Sequence, residues 1–123
     1  MNRDMDAIRQ IVITTKKSDS IVREIDGMPD DVFKFNAMLL IESGLALGKC
    51  NPNSSSGNPV PIAVLIFRLT WKGFDFADSI KDDDIWAKAK ENILKPAGSW
   101  TFEIFTEYLK YEIKTKLGMN SSS

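Results

Sequence analysis

The stretch Gly27-Met-Pro-Asp-Asp-Val-Phe-Lys-Phe-Asn-Ala-Met-Leu-Leu-Ile-Glu-Ser-Gly-Leu45 constrains the fold more than any other. Pro29 suits the start of a helix, where a missing N–H costs nothing. Asp30 and Asp31 put negative charge at the positive end of the helix dipole. Gly44 suits the left-handed conformation that closes a helix, and Leu45 begins the next segment. The pattern predicts a helix over 30–43. Val32, Phe33, Phe35, Ala37, Leu39 and Leu40 cover an arc of roughly 200°, interrupted by Asn36. One neighbouring element covers about half of such an arc, so this helix is expected to pack on two sides. The remaining arc carries Asp30, Asp31, Lys34, Met38, Ile41 and Glu42.

Helical periodicity also marks 3–16, with Met5, Ile8, Ile11, Val12 and Thr15 on one face and Arg3, Asp6, Arg9 and Gln10 on the other. Between these helices, Ile21-Val-Arg-Glu-Ile25 is short and ambiguous. Ser20 suits the cap of a short helix, while the β-branched Ile21, Val22 and Ile25 suit a short strand, the reading preferred here. After Gly44, residues 45–50 read as a strand, Asn51 to Pro59 as a polar loop, and 60–69 as a second strand, together a hairpin.

The order of helix, Ser-Gly-Leu, strand, loop and strand resembles the recognition helix and wing of winged-helix regulators. In those proteins the outer arc of the helix would face DNA. The DNA backbone demands cations, and base reading uses Arg, Asn, Gln or Lys. Here the outer arc holds three acids, Asp30, Asp31 and Glu42, against one Lys34. The wing tip has no Lys or Arg, the nearest being Lys49 and Arg68. If Ile21–Ile25 is a strand, the first helix of a DNA-reading pair is missing or reduced.

Composition narrows the function classes. The chain has 123 residues, net charge −1 and no histidine, so no strong overall field steers it towards nucleic acid or an acidic membrane. Absence of histidine removes the commonest general base, the usual catalytic triad and most zinc sites. The single Cys50 cannot form an internal disulfide and fits a reducing compartment. With no long apolar run and no signal-peptide pattern, a cytoplasmic, membrane-free protein is expected. No catalytic constellation, cofactor motif or metal site is apparent.

The C-terminal part reads as three helices, at 71–81, 84–95 and 99–117. In the first, Trp71, Phe74, Ala77 and Ile80 are expected to face inward; Trp71 and Trp86 are read as core anchors. Asp82-Asp83-Asp84 reads as a cap for the second helix, since neither Gly nor a bidentate Glu stands at calcium-loop spacing. Pro96-Ala-Gly98 breaks the chain and Ser99 is the expected cap of the third helix. That helix shows Phe102, Phe105, Leu109, Ile113 and Leu117 as a core face. A second stripe, Trp100, Ile104, Tyr108 and Tyr111, is either covered by Trp86, Ala89 and Ile93 or exposed as an interface. Residues 1–118 are expected to form one domain and 119–123 a disordered tail.

Three segments resemble a family of small bacterial and prophage proteins catalogued as a domain of unknown function. They are Asn2-Arg-Asp-Met-Asp-Ala-Ile-Arg-Gln-Ile11, Leu39-Leu-Ile-Glu-Ser-Gly-Leu45, and the block from Leu69-Thr-Trp-Lys-Gly73 through Asp82-Asp-Asp-Ile-Trp86 to Lys90. The resemblance implies a winged-helix-like fold and supplies no activity or functional residues. Family members tend to carry histidine where this chain has Phe74 and near Asn36. The fold class expected is therefore α+β, winged-helix-like with added C-terminal helices. The expected function is a non-enzymatic module acting by protein contact or self-association, as a homodimer through Trp100, Ile104, Tyr108 and Tyr111. The alternative is a DNA-binding transcriptional regulator using Lys34, Lys49 and Arg68.

Overall fold

The structure, a computed structural model, describes residues 1–54, 57–95 and 100–118. Among them are five α-helices and a two-stranded antiparallel sheet, an α+β chain. The helices are α1 (Met5–Lys17), α2 (Asp30–Glu42), α3 (Trp71–Ile80), α4 (Asp83–Ala89) and α5 (Phe102–Lys116); the strands are β1 (Ala46–Asn51) and β2 (Ala63–Leu69). The chain divides into two compact units, Met1–Ala77 and Asp78–Ser123.

In the first unit, α1 buries the face expected of it, with Met5, Ile8, Ile11, Val12 and Thr15, and adds Ala7. It packs on α2 and β2, and α2 packs on both strands. The buried side of α2 is narrower than its hydrophobicity suggests: Phe33, Asn36, Ala37 and Leu40 are buried, while Val32, Phe35 and Leu39 are only partly so. Asn36 is no gap in that face but its polar centre. Its Oδ1 accepts from the Asp4 N–H at 2.9 Å, and its Nδ2 donates to Val32 O at 2.9 Å. Asp4 in turn caps α1, accepting from the Ala7 N–H at 3.1 Å. A buried amide with both ends bonded avoids the penalty of an unpaired polar group.

No helix occurs between α1 and α2. Ser18 and Ser20 instead bond each other locally, and Val22 forms an antiparallel bridge to Ile66. β2 starts later than expected because Pro61 has no N–H to give a ladder; Ile62 N–H closes the hairpin onto Asn51 O at 2.9 Å.

The end of α2 and the start of α3 are clasped together. Gly44 adopts φ 81°, Leu45 N–H returns to Leu40 O, and Gly44 N–H to Ile41 O, both at 3.1 Å; this is a Schellman closure. Thr70 then caps α3, accepting from Gly73 N–H at 3.1 Å while its hydroxyl donates to Gly44 O at 2.6 Å. Its own N–H donates to Leu45 O at 3.0 Å. That carbonyl sits so close to Gly73 that a Cβ there would lie 1.9 Å from the oxygen.

Gly73 therefore defines the inward face of α3, with Phe76, Ala77 and Ile80 buried. The expectation for Trp71 fails: it is 86% exposed, and Phe74 is exposed too. At about 100° per residue, Trp71 lies roughly opposite Gly73. Ala77 and Ile80 are buried as expected, but glycine adds nothing to a hydrophobic pattern, so the pattern places the first turn of the helix wrongly.

In the second unit α4 and α5 form an antiparallel pair. Lys116 meets Asp82, Lys88 Nζ lies 3.5 Å from Glu112, and Asn92 Nδ2 donates to Tyr108 Oη at 2.6 Å. Trp86, buried as expected, packs edge-on against Phe105 at 5.4 Å between centroids. Asp82 caps α4 through the Ile85 N–H at 3.0 Å, as expected. The helix does not run unbroken to 95, however. After Ala89 it widens into a π-helical turn, Lys90–Leu94, closed by Lys95 N–H to Lys90 O at 2.8 Å. Thr101 caps α5, with Ile104 N–H donating to its Oγ1 at 3.1 Å, so that helix begins at Phe102. The Pro96–Ser99 break and the 119–123 tail lie outside the described residues.

Two substitutions test this packing. Helix propensity favours Gly73→Ala by up to about 1 kcal/mol, whereas overpacking costs about 1–3 kcal/mol. Because the obstacle is backbone, a net loss of about 2 kcal/mol is expected in denaturant unfolding; a gain would refute the clasp. Thr15 Oγ1 is buried without a hydrogen-bond partner. Thr15→Val is therefore expected to raise stability by about 1 kcal/mol, and a loss would mean that the hydroxyl is satisfied.

Candidate functional site

The four residues of the expected interface divide into two pairs. Trp100 leans on Phe105 at 5.9 Å between centroids, and Tyr108 is tied to Asn92. Both are half-buried within their own unit. Ile104 and Tyr111 stay 49% and 48% exposed. The Tyr111 ring lies 6.5 Å from that of Tyr108, in a tilted pair. On the opposite side of α5, Phe105 and Leu109 are buried, Phe102 and Ile113 are half-buried, and Leu117 is exposed against expectation. Phe105 and Leu109 are the buried centre of the contact, and polar pairs with Asp82, Lys88 and Asn92 extend it along the helix. Apart from Leu117 at its end, the large apolar side chains left bare along α5 are Ile104 and Tyr111, flanked by the Glu107–Lys110 pair at 3.5 Å.

The cations proposed for nucleic acid do not converge. Lys34 is paired with Asp30 at 2.8 Å, one turn back on α2. Arg68 Nη1 donates to Leu69 O at 2.9 Å. Lys49 lies on β1, opposite Leu65. Only Lys49 and Arg68 share an element pair, the hairpin.

Among the described residues no group of three or more His, Cys, Asp or Glu side chains is placed to hold a metal ion. The Cys50 thiol is pushed up by burial first and by the charge of Glu42 second, the opposite of the lowering that makes a thiol nucleophilic. No helix among the described residues is long and apolar enough to cross a membrane.

The clearest electrostatic feature is Asp82. Its carboxyl is held below the usual range, first by the hydrogen bond from Lys116 and then by the Ile85 N–H. Lys116 is raised correspondingly, by Asp82 first. A lowered carboxyl contributes stability above its ordinary value and loses it as pH falls through the folded value. Lys116 is exposed and Asp82 half-buried at the surface, so the effect is one of local order at the α4–α5 end.

These features describe a small α+β protein whose described residues hold no metal cluster and whose one thiol is not activated. The chain belongs to the family described as Hypothetical protein (DUF2513), which matches residues 2–99 and has no characterised function. No curated protein and no solved structure matches it.

Hydrophobic spacing located the α5 stripe but not its division, which depends on Asn92 and on Trp100 folding back onto Phe105. In Lys116→Met, the Asp82 carboxyl is expected to rise towards its ordinary value of 3.8 in an NMR titration. An unchanged value would assign the lowering to the helix cap instead.

Proposed function

We propose that the first unit is a winged-helix module without its first DNA-reading helix, and that the protein is a non-enzymatic cytoplasmic one acting by protein contact, as a homodimer through α5. The order α1, Val22 bridge, α2 and hairpin supports the winged-helix reading. The observation that carries self-association is the exposure of Ile104 and Tyr111 on one side of α5, seven residues and about two turns apart. Bare apolar side chains of this size forgo roughly 25 cal/mol per Å² of burial. An antiparallel α5 pair about a two-fold axis would bury each stripe against itself, as an isologous dimer requires. It would also set Glu103 and Glu107 of one copy towards Lys110 and Lys114 of the other, which aids orientation more than affinity.

The rival reading, a DNA-binding regulator, draws on Lys34, Lys49 and Arg68. It is the weaker reading because Lys34 is already neutralised by Asp30, which leaves only Lys49 and Arg68 of the three, and specific binding needs several phosphates met at once.

Sedimentation at tens of micromolar, with and without duplex DNA, separates the two. A dimer that Ile104→Asp or Tyr111→Asp splits with the helical circular dichroism intact is expected, and DNA binding should be weak and salt-sensitive. A wild-type monomer would remove the self-association reading. A sequence-selective complex tighter than about 10⁻⁸ M at physiological salt would promote the rival.

A further inference from the structure

The outer face of the sheet carries a second surface, distinct from α5. Val22 bridges Ile66, and both are buried, so β2 runs between residue 22 and β1. Strand side chains alternate between faces, which sends the neighbours of Val22 and Ile66 outward. In the antiparallel register Arg23 then stands beside Leu65, and Ile21 beside Phe67. On the other side of β2, Lys49 pairs with Leu65 and Leu47 with Arg68. The bulge between Leu47 and Gly48 brings Phe67 and Arg68 out together. Two rows cross three chain segments: Arg23, Leu65, Lys49; and Ile21, Phe67, Arg68, Leu47.

The second row is an apolar band on a face where water is expected. Ile21, Phe67 and Leu47 are 43%, 48% and 44% exposed. Three cations border it, and all are exposed. Among the described residues Arg23 and Lys49 have no ion-pair partner, and Arg68 reaches only the Leu69 carbonyl. No carboxylate stands in either row. A sheet face left to solvent ordinarily carries polar side chains with both signs of charge. Apolar side chains framed by cations of one sign match a ligand that is apolar in the middle and anionic at its edges.

We propose that this face docks an acidic amphipathic segment of a partner protein. Its apolar side would lie along Ile21, Phe67 and Leu47, and its carboxylates would meet Arg23, Lys49 and Arg68. A single-stranded nucleic acid fits less well, because stacking platforms offer an aromatic ring to successive bases and here one ring stands between two aliphatic side chains.

The test uses the full chain and a fluorescein-labelled synthetic helical peptide with a Leu/Glu amphipathic repeat, read by fluorescence anisotropy. The same peptide with Lys for Glu, and a labelled oligo-dT, are the competing probes. The Glu peptide is expected to bind at least about tenfold more tightly than either. Phe67→Ser and, separately, Lys49→Glu should each weaken it by about tenfold, the scale of an interface hot spot, with circular dichroism unchanged. Lys49 is an exposed strand residue, so its variant keeps the test valid if Phe67→Ser fails to fold. Ile104→Asp should bind the peptide as the wild type does, which separates this surface from α5 self-association. Equal binding of the Lys peptide, tighter binding of oligo-dT, or unchanged binding by the folded variants would overturn the proposal.

Discussion

One carbonyl ties the first unit together. Leu45 O ends the turn that follows α2, accepts the Thr70 N–H at 3.0 Å, and occupies the space that a side chain on Gly73 would need. Around it, Thr70 has two tasks at once, capping α3 and holding Gly44 O. The hairpin register follows from this point, since Ala46 pairs with Leu69 immediately inside the clasp. The segments Leu39-Leu-Ile-Glu-Ser-Gly-Leu45 and Leu69-Thr-Trp-Lys-Gly73 are thus two halves of one contact. Their residues are set by backbone approach as much as by core packing.

Much of this was legible in the residues. Pro29, Asp30, Asp31 and Gly44 bound α2 to within a residue of its observed ends, because each acts through local backbone chemistry. The hairpin and the Asp82 cap were legible for the same reason. The errors share another cause. Hydropathy counts Trp71 and Phe74 as inward and gives Gly73 no weight, yet the closest approach in α3 is made where there is no side chain. Asn36 reads as a defect in an apolar arc until its partner, Asp4, is known to lie beside it from 32 positions away. No local pattern foretells the π-helical turn after Ala89. Spacing placed Trp100, Ile104, Tyr108 and Tyr111 on one stripe, and only contacts separate the exposed Ile104 and Tyr111 from Trp100 and Tyr108. The outer sheet surface was hidden because it depends on which residue of 21–23 pairs with β2. A shift of one residue there would exchange Val22 for Ile21 and Arg23 on the buried side.

Charge is used differently in the two units. Along α4 and α5 it is paired: Asp82 with Lys116 and Lys88 with Glu112 stand at successive levels of an antiparallel helix pair. Such exposed pairs add little stability each but disfavour other alignments of the two helices. On the sheet of the first unit, Arg23 and Lys49 are left without counter-charges among the described residues. A chain with net charge −1 thereby keeps a locally basic surface that its overall composition conceals.

The clasp also makes α3 depend on contacts outside itself. α3 has 10 residues, fewer than the ~12–15 that an isolated helix needs even to be marginal in water. Its first turn is held by Thr70, whose hydroxyl and N–H bind the carbonyls of Gly44 and Leu45. Those carbonyls stand at the closed C-terminus of α2, and Thr70 meets them where the hairpin holds Leu69 beside Ala46. The hairpin and the clasp close the same loop, so the closure entropy of residues 44–70 is met once for both. The start of α3 is thus held by the end of α2 and by the hairpin rather than by the helix itself.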